Sequence, residues 1–452
     1  MRSPWRPWPA RPLLVLLALA FVLMRPSPSH AGLLEYQRER LPNGLDVIIH
    51  VDRRLPLVAV DLSYHVGSMH DGPHPGLAHL VEHLMFRGTR FLDDGEGDRL
   101  LAEAGAVGSN AATLYDHTSY HSLIPSEALP LALWIEADRM AHLQAGLDDA
   151  KVEQEIQTVV DEWEFRVQSQ RHGLDRDALW SALFPPEHPF HPVGPTQVRA
   201  LRRPEVVEHL RRYHGPSNAT LVLAGDVPDD ALQQVQLYFG RRQGGERPSP
   251  PTGLAVTPPV KARTLDRTAQ LSATSTVAMA WPSPGLYEPG DAEADILMST
   301  LDAGTLQALV EARLPDALLS VESGQLSRMG QSLFVIAAEG TADTDPQRLL
   351  EAIDGALQHL REQPLTPAQI HRATRRFTTN MLRGLQRIDD RARRMQHYVA
   401  AGKDPDWLEH DLARYAAVDA EGVARFVRTT LDPARRVIVL SRPAATEGAA
   451  AP

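Results

Sequence analysis

The chain has 452 residues, enough for two domains of about 200 residues each. Its 46 basic and 57 acidic side chains leave a formal charge of −11 with no long basic run, which argues against nucleic acid as the main partner, and 43% hydrophobic with 23% charged residues is the balance of a soluble globular protein. No cysteine occurs, so disulfides, thiolate metal sites and a cysteine nucleophile are excluded, and any metal must be held by His, Asp or Glu.

At the N-terminus Arg2, Arg6 and Arg11 precede an apolar run from Leu13 to Met24, followed by Arg25, Pro26 and the small-x-small site Ser29-His30-Ala31. The run is short of the ~20 residues a membrane span needs. Residues 1–31 therefore read as a signal peptide cut after Ala31, with a signal anchor as the alternative, and the product as periplasmic or secreted.

Strands are expected from Tyr36 to Leu41 and from Leu45 to Val51, joined at Pro42-Asn43-Gly44, and again from Leu57 to Tyr64. A polar loop, 67–76, leads into a helix ended by Gly88. A helix over 96–104, strands over 108–115 and 118–124, and helices over 125–143 and 150–167 follow, then a strand over 218–226 and a helix to Phe239. The Pro/Gly/Ser-rich stretch 244–259 reads as a linker between domains at 32–243 and 260–442. Beyond it come a strand over 270–281, a helix over 291–301, two strands within 318–338, helices over 346–361, 366–386 and 418–430, and a strand over 436–440. The tail 443–452 reads as disordered. Strands and helices mix in both halves, which suggests two related α/β modules.

The chemistry concentrates in Ala78-His79-Leu80-Val81-Glu82-His83-Leu84-Met85-Phe86. On a helix His79 and His83 stack one turn apart, and Glu82 points to the same side. Two imidazoles so placed can share a metal, and the carboxylate beside them can hold a water. A catalytic zinc takes three protein ligands, so a third is needed. His117, His121, His188, His191 and many carboxylates are available. The best placed are Glu155 and Glu162, seven residues apart on one face of the 150–167 helix.

With these motifs the chain resembles the pitrilysin (insulinase) family of zinc peptidases. The resemblance spans about residues 34–442 and is carried by Leu41-Pro42-Asn43-Gly44-Leu45, Gly76 to Phe86, Arg87-Gly88-Thr89 and Asn110-Ala111. It continues in Glu136-Ala137-Asp138-Arg139-Met140, the Glu155 to Glu162 helix, and Ser217-Asn218-Ala219-Thr220. It implies an α+β fold of two homologous α/β sandwich domains, each a mixed sheet packed with helices, forming one half of a clamshell. It also implies one Zn²⁺ on His79, His83 and Glu162, Glu82 as catalytic base, and Glu155 as the neighbouring acid that supports catalysis. Asn110 and Ala111 match the edge strand on which a peptide substrate lies, and Arg139 is expected in a structural ion pair. The family's second half carries an arginine and, seven residues on, a tyrosine near the substrate. Alignment on Leu319-Ser320-Val321 sets Leu319 and Ala312 at those places, with Arg313 adjacent. The chain thus resembles the zinc-bearing member of a two-chain peptidase, completed by a homologous subunit in a heterodimer or by a second copy. The alternative is an inert member serving as scaffold or peptide-binding subunit.

Overall fold

The first sheet holds β1 (Gln37–Arg40), β2 (Asp46–Val51), β3 (Leu57–Tyr64), β4 (Val107–Thr113), β5 (Thr118–Pro125) and β6 (Ala219–Gly225), with β1 polar at one edge and β6 buried throughout. Their spatial order is β1-β2-β6-β3-β5-β4, with β2 and β6 parallel and all other neighbours antiparallel. Gly44 makes the β1–β2 turn at φ 93°, where a side chain would strike Ser217. The helices of this half are α1 (Leu77–Leu84), α2 (Glu96–Glu103), α3 (Leu129–Gly146), α4 (Asp149–Ser169), α5 (Gly173–Leu183), α6 (Pro195–Ala200), α7 (Arg203–Tyr213) and α8 (Ala231–Phe239). The computed structural model describes residues 32–169, 173–269 and 272–444, so the expected signal peptide and residues 445–452 of the expected tail lie outside the described residues.

The second sheet holds β7 (Arg263–Ala269), β8 (Ser275–Ser283), β9 (Leu318–Leu326), β10 (Ser332–Gly340) and β11 (Val437–Pro443), in the order β7-β11-β8-β10-β9. Its helices are α9 (Asp291–Thr300), α10 (Leu306–Glu311), α11 (Pro346–Glu362), α12 (Pro367–Gly384), α13 (Ile388–Ala400), α14 (Leu408–Ala416) and α15 (Ala420–Thr429). Only β7 and β11 run parallel. Without β1, the first sheet has the same order with its one parallel pair in the same place. The fold is therefore two copies of one mixed sheet with helices, as the resemblance implies.

Period two assigns the faces of each strand. In β3, Val58, Val60, Leu62 and Tyr64 enter a core shared with α1, α3 and α4, while Ala59 and Asp61 turn to the other face. That face is covered by α13 from the second half. Ile388, Ala392, Met395 and Val399 pack on Ile48, Ala59, Val222 and Ala224. Gln396 Nε2 donates to the carbonyls of Asp61 at 2.9 Å and Thr220 at 3.0 Å. The exchange is reciprocal: Leu179, Trp180 and Phe184 around α5 pack on Ala278, Ala280, Val437 and Val439 of the second sheet. Asp175 accepts from the hydroxyls of Thr276 and Ser441 at 2.6 Å each.

Six helices, α5, α6, α7, α10, α13 and α14, stand where no element is expected. The strand expected over 270–281 starts at Ser275 and is preceded by β7, with residues 270 and 271 outside the described set. The segment 244–259 has no helix or strand, yet Leu254 is buried and the N–H of Val256 donates to Gln331 Oε1 at 3.0 Å, so it runs tied to the surface. Among the described residues no helix is long and apolar enough to cross a membrane.

Candidate metal centre

α1 buries Leu77, Ala78, Leu80, Val81 and Leu84, which turns His79, Glu82 and His83 together towards α4. Each fully buried leucine there holds the helix down by about 1.5–3 kcal/mol. Its first turn is capped from outside. The Oδ2 of buried Asp71 accepts from Gly76 N at 2.7 Å and its Oδ1 from Ala78 N at 2.9 Å, answering donors that a helix start leaves open. Burial raises the Asp71 carboxyl to about 7, against the lowering by these backbone donors. The helix stops at Leu84, earlier than expected; Gly88, at φ 87°, turns the loop that follows.

α4 packs against α1 and supplies two carboxylates. Glu162 Oε2 lies 3.2 Å from His83 Nε2 and 3.5 Å from His79 Nε2. Its other oxygen is paired with Arg166, one turn further on. Glu155, buried, sets Oε2 3.3 Å from His83 Nδ1, while its Oε1 is 3.2 Å from Arg87 Nε. The two imidazoles meet edge to face with centroids 4.8 Å apart. Burial, His83 and Arg166 together lower the His79 pKa to about 4, so its ring is neutral at pH 7.

These donors fit zinc. Tetrahedral bonds of about 2.1 Å set ligand atoms about 3.4 Å apart, and the two separations to Glu162 Oε2 are 3.5 and 3.2 Å. One donor atom from each of His79, His83 and Glu162 can lie within 4.8 Å of the others, the one such group among the described residues. The set is two nitrogens and one oxygen with partial exposure, which suits a metal that keeps a fourth position open. Glu82 points one buried oxygen, Oε2, at no protein partner. A buried acceptor left unpaired costs free energy unless water or a ligand meets it.

Asn110 and Ala111 lie on β4, the outer strand of the first sheet, opposite His121 and Tyr120 of β5. Burial raises the Tyr120 hydroxyl well above its ordinary value, with Glu82 adding to the shift, which ties this strand pair to α1. The N–H of Ala111 is taken by Asn110 Oδ1 at 2.9 Å. Leu319 stands half exposed on β9, and Arg313 folds back on its own helix to the carbonyl of Leu309. His117 is buried against Asp116, and His188 and His191 bond the carbonyls of Leu254 and Phe184; none of these, nor His121, joins the His79 group. Arg139 pairs with Glu136 at 3.0 Å and Asp98 at 2.9 Å, as expected. Asp71 and Arg166 were not singled out in the sequence, and Arg87 entered only within the motif Arg87-Gly88-Thr89, with no role at the site. Only Arg166 carried a signal, four residues after Glu162 on a helix.

The insulinase (peptidase family M16) model matches residues 47–184, and that of the peptidase M16 inactive domain matches residues 200–377. The zinc protease PqqE of Helicobacter pylori is 23% identical over 88% of this chain and 87% of its own length. The insulin-degrading enzyme of Mus musculus is 32% identical over 48% of this chain, a match that spans 22% of that much longer protein. A solved Helicobacter pylori protease superposes with a TM-score of 0.82 over 91% of this chain and 100% of its own, at 22% identity, and so shares the fold. With both family domains in order along one chain, and zinc proteases among its relatives, this protein belongs to the insulinase, or pitrilysin, family of peptidases.

Proposed function

We propose that the chain is a zinc-dependent endopeptidase acting on peptides or unfolded segments, with His79, His83 and Glu162 holding the metal and Glu82 as general base. The observation that carries this reading is the convergence of His79 Nε2 and His83 Nε2 on one Glu162 oxygen at 3.5 and 3.2 Å. Bound zinc supplies a Lewis acid and an acidified water, with pKa near 7. Glu82 takes a proton at its unpaired Oε2 and passes it to the departing amine nitrogen. His79, held neutral, offers a lone pair. Glu155 is a positioning residue: its oxygen against His83 Nδ1 favours the tautomer protonated there and leaves Nε2 free. The outer edge of β4 at Asn110 and Ala111 takes an extended peptide as an added strand, a mode with little sequence dependence.

In this reading residues 32–243 form the zinc-bearing module, 244–259 the linker and 260–442 the second module. Ala312 and Leu319 lack the guanidinium and phenol implied by the family, so a homologous subunit or a second copy completes the chamber. After removal of residues 1–31 the enzyme works in the periplasm or outside the cell. Glu82→Gln tests the mechanism: zinc content should be unchanged while cleavage of a quenched peptide falls by about 10²–10⁴-fold. Unchanged cleavage in a zinc-loaded Glu82→Gln protein overturns it.

A further inference from the structure

The duplicated fold locates, in the second half, the counterpart of the candidate metal centre. α1 starts after left-handed Gly76 (φ 91°) and α9 after left-handed Gly290 (φ 101°). Aligning these glycines sets Glu293 at the place of His79, Ile296 at that of Glu82 and Leu297 at that of His83. α4 follows Asp148, whose carboxylate accepts from Lys151 N, and α12 follows Thr366, whose hydroxyl accepts from Gln369 N. Aligning these caps sets Asn380 at the place of Glu162 and Ala373 at that of Glu155. The metal donors are absent, but α9 still packs on α12 as α1 does on α4.

Between them lies a cleft of about 640 Å³, within the size range of small-ligand sites. Met298 of α9, Arg376, Phe377, Asn380 and Met381 of α12, and Arg394 of α13 line it. Asp302 and Ala303, from a π-turn over Leu301–Thr305 in which Gly304 takes φ 93°, add to its wall. Arg376 donates to Ser299 Oγ at 3.0 Å, and the Arg394 guanidinium sits 5.7 Å from the Tyr398 ring centroid. Among the described residues no carboxylate pairs with either guanidinium. Asp302, the one acid on the wall, is already engaged by Ser323, through its N–H at 3.1 Å and its hydroxyl at 2.7 Å.

We infer that this cleft binds a carboxylate carried next to an apolar side chain, the chemistry of a peptide's C-terminal end. The two guanidiniums and the Asn380 amide face the carboxylate. Phe377 and the two methionines take the side chain, and methionine's flexibility lets that pocket accept several apolar shapes. The cleft shares Asn380 with the counterpart of the metal centre and runs beside it, an anchor for peptides. That the ligand is a peptide rests on the proposed peptidase function; the cleft and its charge stand without it.

The test is fluorescence polarisation on the full chain carrying Glu82→Gln. Three labelled peptides of one sequence are compared: a free acid ending in Leu, its C-terminal amide, and the amide with a glutamate beside the leucine. The free acid should bind at least about tenfold more tightly than the plain amide, and Arg376→Ala or Arg394→Ala should remove most of that difference. Tight binding of the glutamate amide also supports the cleft and assigns the carboxylate to a side chain. Equal affinity for all three peptides, or discrimination that survives both arginine substitutions together, overturns it. Arg376 is exposed, so its substitution leaves the core intact. Binding is read without turnover: a wild-type chain that fails to cleave peptides with zinc would count against the peptidase reading alone.

Discussion

Glu155 and Glu162 stand two turns apart on α4 and face opposite nitrogens of one imidazole. Glu155 Oε2 lies 3.3 Å from His83 Nδ1 and Glu162 Oε2 3.2 Å from Nε2. Each carboxylate spends its other oxygen on an arginine, Arg87 for Glu155 and Arg166 for Glu162. The line Arg87, Glu155, His83, Glu162, Arg166 therefore gives the ring a single orientation, and it separates the work of the two glutamates.

Substitution should expose that separation. Glu155→Gln, which keeps shape but loses the charge behind His83, should weaken zinc binding by about 10–100-fold. Glu162→Ala removes a donor atom and should cost more than either end of that range. Competition with a chromophoric chelator measures both. Equal losses in the two variants would contradict the assignment of Glu162 as ligand and Glu155 as support.

Zinc should also stabilise the fold, because the site joins α1 to α4. At a free zinc concentration 100 times Kd the gain is about 2.7 kcal/mol. A thermal melt of the wild type should shift upward with zinc and back with chelator. His79→Ala should show neither shift.

The β4 edge can be blocked without unfolding the sheet. The N–H of Ala111 is bonded to Asn110 Oδ1, and β4 is the outer strand of its sheet, where proline is tolerated. Ala111→Pro should leave the melt nearly unchanged while raising KM about two- to tenfold, the worth of one main-chain hydrogen bond. An unaltered KM would remove Ala111 from the substrate contacts.

Acid should destabilise the protein before its carboxylates protonate. Burial lowers the histidine pKa to about 3 for His65 and about 4 for His209 and His397. Unfolded histidine titrates near 6.5, so below that value the unfolded chain binds more protons than the native one. Stability from these groups is complete above about pH 6.5 and is lost as pH falls towards 4. His397→Asn should flatten the dependence of the melting temperature on pH across that window. An unchanged slope would mean that His397 does not stay neutral there.

Much of the first half is legible in its sequence because local pattern and tertiary role agree there. The turn at Asn43-Gly44, the buried alternation of β3 and the spacing of His79, His83, Glu155 and Glu162 each state their structure within a few residues. α13 shows why the rest was not. Its apolar residues Ile388, Ala392, Met395 and Val399 have helical spacing, but they sit among five arginines and aspartates between 389 and 394, and what they cover is a sheet more than 150 residues away. Asp71 is similar: nothing beside it in sequence announces that it caps a helix starting at Leu77. Arg87 reaches Glu155 only after the loop following α1 has turned, so no spacing rule reports it.

The exchange of α5 and α13 has a consequence for how the molecule comes together. Each half carries the lid of the other's sheet, so neither sheet has both faces dry until both halves are present. The contacts that close the structure join residues hundreds of positions apart, such as Gln396 to Asp61 and Asp175 to Ser441. Such a chain acquires its stability late, in one cooperative step, and its order of synthesis matters: the first sheet must wait, with an apolar face uncovered, for a helix made near the end.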